Sequence, residues 1–195
     1  MNNWMPSIEV QSARGAREIS LLTEHLKERR VFLTGSIEEE AAEKIISQLL
    51  YLDGLDEPIS LIINSPGGSV SDGLMIYDIL QGMKSPIEMY CMGTAASMAA
   101  LLFASGEKGR RHILPHAKTM IHEPLISRGV GGSATSISRI SDSILETKRT
   151  VNMILALHTG REVSEIDDAT AFDNYMNAKE SIEFGICDDI VYRIG

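Results

Sequence analysis

Apolar residues along this chain switch between two spacings. Short runs at residues 30–34 (RVFLT), 59–63 (ISLII) and 87–92 (IEMYCM) are rich in β-branched and other apolar side chains and read as buried strands. A stretch of helical spacing follows each. Residues 36–51 place Ile37, Ala41, Ile45 and Leu49 on one face, and the Ser36-Ile37-Glu38-Glu39 opening has the form of a capping box. Residues 69–83 place Val70, Leu74, Tyr77 and Leu80 inward, and 98–103 form a third helical run. Upstream, Ile19, Leu22 and Leu26 predict a short amphipathic helix over 16–28, while residues 1–15, without a clear period and carrying Pro6 and Gly15, read as a flexible arm.

Downstream, residues 106–111 form a basic turn, and 112–114 and 118–121 read as short strands. Residues 125–133, rich in Gly and small or β-branched residues, suit an extended mobile arm. The pattern over 134–159 (Ile137, Ile140, Ile144, Val151, Ile154, Leu155) predicts a long helix stopped by Gly160. An apolar stripe of that length asks for more cover than one small domain supplies, so packing against another subunit is expected. Short helices follow at 164–171 and from Asn177-Ala178-Lys179-Glu180 to Gly185, and a strand at 189–192 closes the chain. Strands alternating with helices predict an α/β class with mostly parallel strands. No internal linker divides the chain, so one domain with a protruding helical element is expected.

Composition narrows the functions. The 195 residues suffice for one domain with a sizeable core, and the net charge of −9 argues against a nucleic-acid backbone as partner. Ten methionines fit adaptable packing and tolerant contact surfaces. Cys91 and Cys187, the two cysteines, show no C-x-x-C or metal-ligand spacing, which predicts a reduced chain without a metal. The opening MNNWMPSIEVQ lacks the basic flank and apolar core of a secretory signal, and residues 89–104 are too short and too interrupted for a membrane span. A cytoplasmic setting is expected.

The candidate chemistry centres on CMGTAASMAALLF, residues 91–103. Gly93 and the small residues Thr94, Ala95, Ala96 and Ser97 end one strand as a helix begins. A serine at such a turn lies near unpaired helix N–H groups, where a nucleophile and an oxyanion are tolerated. A helix-capping role is the plain alternative. Asn64-Ser65-Pro66-Gly67-Gly68 sits between a strand and a helix, a turn whose amides can face an anion; a simple tight βα loop explains it equally well, and it lacks the lysine of a P-loop. A serine nucleophile needs a base and a group to orient it. Of His25, His112, His116, His122 and His158, His122 is best placed, at the end of an apolar strand before Glu123-Pro124. For the carboxylate, Asp167, Asp168, Asp173, Asp188 and Asp189 are all eligible. Asp167 and Asp168 are expected to be solvated and Asp173 partly buried, but spacing does not choose among the five.

INSPGGSV, IYDILQ, CMGTAASMAA, LPHAKTMIHEPL, ALHTGREVSEI and NAKESIEFGICD together make the chain, from about Ile8 onward, resemble the ClpP family, the proteolytic subunit of the ATP-dependent Clp protease. The resemblance implies a ClpP/crotonase-type α/β fold: an N-terminal axial arm at 1–15 and a single peptidase domain at 16–195. Its Gly-rich arm and long helix form a protruding handle at about 123–160. It implies a serine endopeptidase with Ser97 as nucleophile, His122 as base and Asp173 as carboxylate, and the amides of Gly68 and Met98 as oxyanion hole. It further implies heptameric rings stacked into a tetradecamer and a Clp-type AAA+ ATPase that feeds unfolded polypeptides. ATP would be consumed by that partner, with no cofactor or metal bound here.

Some positions depart from the family pattern. Phe172 stands where the family usually has an arginine before the aspartate, which removes a charge-assisted contact between rings. Glu123-Pro124-Leu125-Ile126-Ser127 replaces Gln-Pro-Leu-Gly-Gly, and Ile62 and His112 replace aromatics of the ATPase-docking pockets. These changes motivate an alternative: a regulatory or scaffold ring subunit, weakly active alone, that pairs with a second ClpP-type subunit. A crotonase-like acyl-CoA enzyme would leave the Ser97–His122 pairing without a purpose.

Overall fold

The computed structural model describes residues 6–12, 15–54, 57–126, 129 and 131–195. Residues 1–5 and 13–14 of the expected N-terminal arm, and 127, 128 and 130 of the expected Gly-rich arm, lie outside the described residues. Strands β1 (Ser7–Ser12) and β2 (Gly15–Ser20) pair antiparallel as a hairpin, followed by helix α1 (Leu21–Lys27), β3 (Arg30–Thr34) and α2 (Glu39–Leu52). Then come β4 (Ile59–Ser65), α3 (Val70–Gly82), β5 (Ile87–Ala96), α4 (Met98–Ala104), β6 (Arg111–Ile113) and β7 (Lys118–Ile121). The long α5 (Ala134–Thr159), α6 (Val163–Thr170), β8 (Asn174–Asn177), α7 (Ala178–Phe184) and β9 (Asp189–Ile190) complete the order.

The central sheet runs β3-β4-β5-β6-β9, all parallel, with β7 leaving β5 to pair antiparallel with β8. This is the mixed α/β architecture that the βα alternation predicts. Its core is aliphatic. Leu33, Leu61, Ile63, Met89 and Ile113 from the sheet meet Leu49, Ile76, Leu101 and Phe103 from the helices, all at most 1% exposed. Every residue of α4 is buried, so the helix that follows Ser97 is held on all sides.

Four local predictions are corrected. The stretch read as a patternless arm contains β1, and β2 takes the first part of the predicted helix, which starts only at Leu21 behind its cap Ser20. β1 carries a short alternation, Ile8 and Val10 half-buried between exposed Ser7, Glu9 and Gln11, whereas β2 is exposed over Gly15–Glu18 and shows none. The predicted capping box does not cap: α2 starts at Glu39, and Ile37 instead bridges Gly68. In α3 the buried positions are Gly73, Ile76 and Leu80, while Val70, Leu74 and Tyr77 are only partly covered. Gly73 is inward because Met98 packs against it, leaving no room for a Cβ.

β5 continues past its predicted end through a bulge. Ile63 pairs with Cys91 and Ser65 with Ala95, so two steps along β4 match four along β5. Gly93 in the bulge has φ +89°, and a Cβ there would lie 2.7 Å from Asn64 Oδ1. The bulge lets β5 pair first with β6 (Met89–Cys91) and then with β7 (Thr94–Ala96). It thereby carries residue 97 to the strand that precedes His122.

Candidate active site

Ser97 occupies the junction of β5 and α4 with φ 54° and ψ −126°, a region that costs a side-chain-bearing residue about 1–3 kcal/mol. Its backbone is tied on both sides. Ser97 N–H donates to Met120 O at 2.7 Å, and its carbonyl accepts from the amides of Ala100 (2.9 Å) and Leu101 (3.2 Å). Ser97 is the N-cap of α4, yet its hydroxyl caps no helix amide. The hydroxyl instead lies 2.9 Å from His122 Nε2.

His122 directly follows β7. The β7–β8 register pairs Lys118 with Asn177 and runs to Ile121 opposite Asn174. One step further sets residue 122 opposite residue 173. Accordingly His122 Nδ1 lies 3.5 Å from Asp173 Oδ1, a contact longer than an ordinary N–H···O bond of about 2.7–3.2 Å. The imidazole is 15% exposed and the carboxylate 58%, which corrects the expectation of a partly buried Asp173. Its neighbours Phe172 (86%) and Tyr175 (63%) are themselves open to solvent and give it no apolar cover.

The Gly67–Gly68 turn is pressed between Ile37 and the Ser97 junction. Ile37 N–H donates to Gly67 O and Ser69 N–H to Ile37 O, both at 2.8 Å, while Gly67 N–H donates to buried Ser65 Oγ at 3.0 Å. Gly67 has φ +88°, and a Cβ on it would fall 2.7 Å from Ser97 Cβ and 3.0 Å from Met98 N. At Gly68 (φ +155°) a Cβ would fall 2.2 Å from Ile37 O. Only glycine lets this backbone pass so close. Among the described residues, the amides of Gly68 and Met98 donate to no protein acceptor. Beside Ser97 and His122 opens a narrow apolar recess lined by Val70, Leu101, Ile121, Pro124 and Leu155.

The other candidates serve elsewhere. Asp188 accepts from the Arg111 guanidinium, with Nε–Oδ2 at 3.0 Å, and Asp189 accepts from His112 at 2.6 Å. Asp167, expected to be simply solvated, turns one oxygen to within 2.6 Å of Asn152 Nδ2. His158 bonds the Tyr77 hydroxyl at 3.1 Å, and burial, with Arg111 nearby, lowers its pKa. Burial pushes the thiols of Cys91 and Cys187 up to about 12, so neither is a thiolate at neutral pH. Among the described residues no His, Cys, Asp or Glu group is arranged to hold a metal ion, and no helix is long and apolar enough to cross a membrane.

A serine, a histidine and an aspartate in line beside two unengaged amides, on this fold, can be set against known families. A family model described as Clp protease matches residues 13–193. The chain belongs to the Clp protease family. Its α/β fold is accordingly of the ClpP type, and the matched region contains all five site residues named from the sequence. Of the departures from the Clp protease pattern, Ile62 is 2% exposed and lies in one row across the sheet, Phe32–Ile62–Tyr90–His112–Asp189. His112 bonds both Glu88 (2.9 Å) and Asp189 and packs on the Tyr90 ring, with centroids 5.0 Å apart. Sequence reasoning missed the links from Asn152 to α6 and from Lys148 to Glu123. The one trace of them is the four-residue spacing of Lys148 and Asn152, which sets both on one face of α5.

Proposed function

We propose that this chain is a serine endopeptidase subunit that cleaves unfolded polypeptides through an acyl-enzyme. The observation that carries the reading is the 2.9 Å contact between Ser97 Oγ and His122 Nε2 at a strained turn, with the Gly68 and Met98 amides unengaged alongside. His122 accepts the Ser97 proton at Nε2 as the oxygen attacks the scissile carbonyl. Asp173 faces Nδ1, fixes the tautomer and stabilises the imidazolium that forms. The amides of Gly68 and Met98 receive the oxyanion, each such donor contributing about 100- to 1,000-fold in rate. His122 then returns the proton to the leaving amine, and water repeats the sequence on the ester. The apolar recess beside Ser97 takes an apolar side chain of the substrate.

On this reading the chain acts in the cytoplasm, in seven-membered rings stacked face to face, with a Clp-type AAA+ ATPase delivering unfolded chains. Enclosure gives a weakly selective peptidase its specificity, because folded proteins cannot reach its serines. The experiment is cleavage of a fluorogenic peptide by the purified chain and by Ser97→Ala, with assembly followed by sedimentation. Loss of cleavage with unchanged assembly is expected. Undiminished cleavage by Ser97→Ala overturns the proposal.

The exposed Asp173, 3.5 Å from His122 and beside the exposed Phe172, favours one second reading. In it the chain is a ring subunit weakly active alone, whose triad tightens when a second ClpP-type ring covers this surface. Activity of the chain alone, equal to that of the mixed particle per serine, removes it.

A further inference from the structure

Asn152, in the middle of the C-terminal half of α5, is fully buried. Its Nδ2 donates to Asp167 Oδ1 at 2.6 Å and to Thr170 Oγ1 at 3.3 Å, both on α6. Its Oδ1 is buried without a hydrogen-bond partner, so the amide is retained at the expense of an unsatisfied acceptor. Thr170 in turn accepts Glu123 N–H on its backbone carbonyl at 2.8 Å. Glu123 also accepts from Lys148 Nζ at 2.7 Å, and Lys148 lies one turn before Asn152 on the same face of α5. The contact with Glu123 raises the Lys148 pKa, with Asp167 adding to the effect.

These contacts converge on the two segments that carry the base and the acid. Glu123 is the residue after His122, and Thr170 lies three before Asp173. Their backbone bond closes the gap between the segments just beyond the β7–β8 ladder. The His122–Asp173 contact is already at 3.5 Å, so a further opening of this gap uncouples the pair.

We infer that Asn152, with Lys148, is a positioning residue for the catalytic triad: held by α5, the Glu123–Thr170 junction sets the separation of His122 and Asp173. The inference rests on the peptidase reading above. It links the handle helix to the triad inside one chain, independently of any contact across rings.

The test is a double-mutant cycle between Asn152→Leu and Asp173→Asn, read as kcat and KM for a fluorogenic peptide. Asn152→Leu is expected to lower kcat about 10- to 100-fold, the scale of a misplaced catalytic group, with KM within about twofold. In the Asp173→Asn background the same substitution is expected to change kcat less than about threefold, because the separation it controls no longer matters. A general structural defect would lower kcat by the same factor in both backgrounds, and that result overturns the inference, as does an unchanged kcat in Asn152→Leu. If Asn152→Leu does not fold, Lys148→Met at its partly exposed site decides in the same cycle, with recovery of kcat in Lys148→Arg expected. Wild-type chain that neither cleaves peptide nor is labelled at Ser97 overturns the peptidase reading itself, and this inference with it. An active wild type with an additive cycle overturns the inference alone.

Discussion

At the scale of single residues, the site depends on two places where the backbone does what most residues resist. Ser97 holds a positive φ with a side chain, and Gly68 passes where a Cβ would overlap Ile37 O. Gly68→Ala is therefore expected to destabilise the fold by more than about 1 kcal/mol, measured by chemical denaturation, and to cut peptide cleavage more than its loss of stability explains. Gly82→Ala is the control. It ends α3 at ordinary φ with open space around it, so the same change there should be neutral or stabilise by up to about 1 kcal/mol. Ser97 and His122 were legible because each ends an apolar run. Asp173 was not, because its choice follows from the β7–β8 register, and Asn174-Tyr175-Met176-Asn177 is too short and too polar to announce a strand. Once β8 is known, residue 173 falls opposite residue 122, whatever its burial.

At the scale of elements, the signals read from sequence were those that burial enforces. The parallel strands and α5, whose bounds Ala134–Thr159 and Gly160 stop match the expected helix, rest on long periodic patterns and a glycine in the left-handed region at φ 78°. β2 and the bulge at Gly93 leave no such pattern, since one is mostly exposed and the other is a register shift rather than a period, and the alternation in β1 spans only Ser7–Gln11. Two strand edges also carry pH-sensitive ties. For His112, burial pulls the pKa down, but the Glu88 and Asp189 carboxylates outweigh it and raise it above the usual 6.5. A raised folded-state pKa stabilises fully below that usual value and loses its effect as pH rises through the folded value. The melting temperature of wild type should therefore fall more above pH 6.5 than that of His112→Gln. Equal pH profiles would show that the tie contributes nothing. Asp188 behaves oppositely. Burial opposes its ionisation, yet Arg111 and two backbone amides hold its pKa below the usual 3.8, so its stabilisation persists above that value and is lost as pH falls through the folded one.

At the scale of the whole molecule, α5 gives the strongest sign that one chain is not the working unit. Its first half leaves Ile137 (45%), Ile140 (36%) and Leu145 (49%) uncovered, while the helix is buried only from Val151 onward, on the α4 and α6 side. A helix face of that length is expected to pack on a second copy of the chain. Replacing Ile137 and Ile140 together by glutamate should shift sedimentation toward smaller species without lowering the melting temperature of the protomer, because neither side chain belongs to its core. The same helix, through Lys148 and Asn152, reaches the segments that hold His122 and Asp173. On the proposed function, assembly and chemistry share this one element, and Phe172, 86% exposed, stands at the open edge of the site.

The most direct test is to treat the assembled protein with a fluorophosphonate and locate the adduct by peptide mass spectrometry. A single adduct on Ser97, slowed at least about 100-fold in His122→Ala, is predicted. An adduct on another residue, or labelling that persists in Ser97→Ala, would contradict the assignment of Ser97 as the nucleophile.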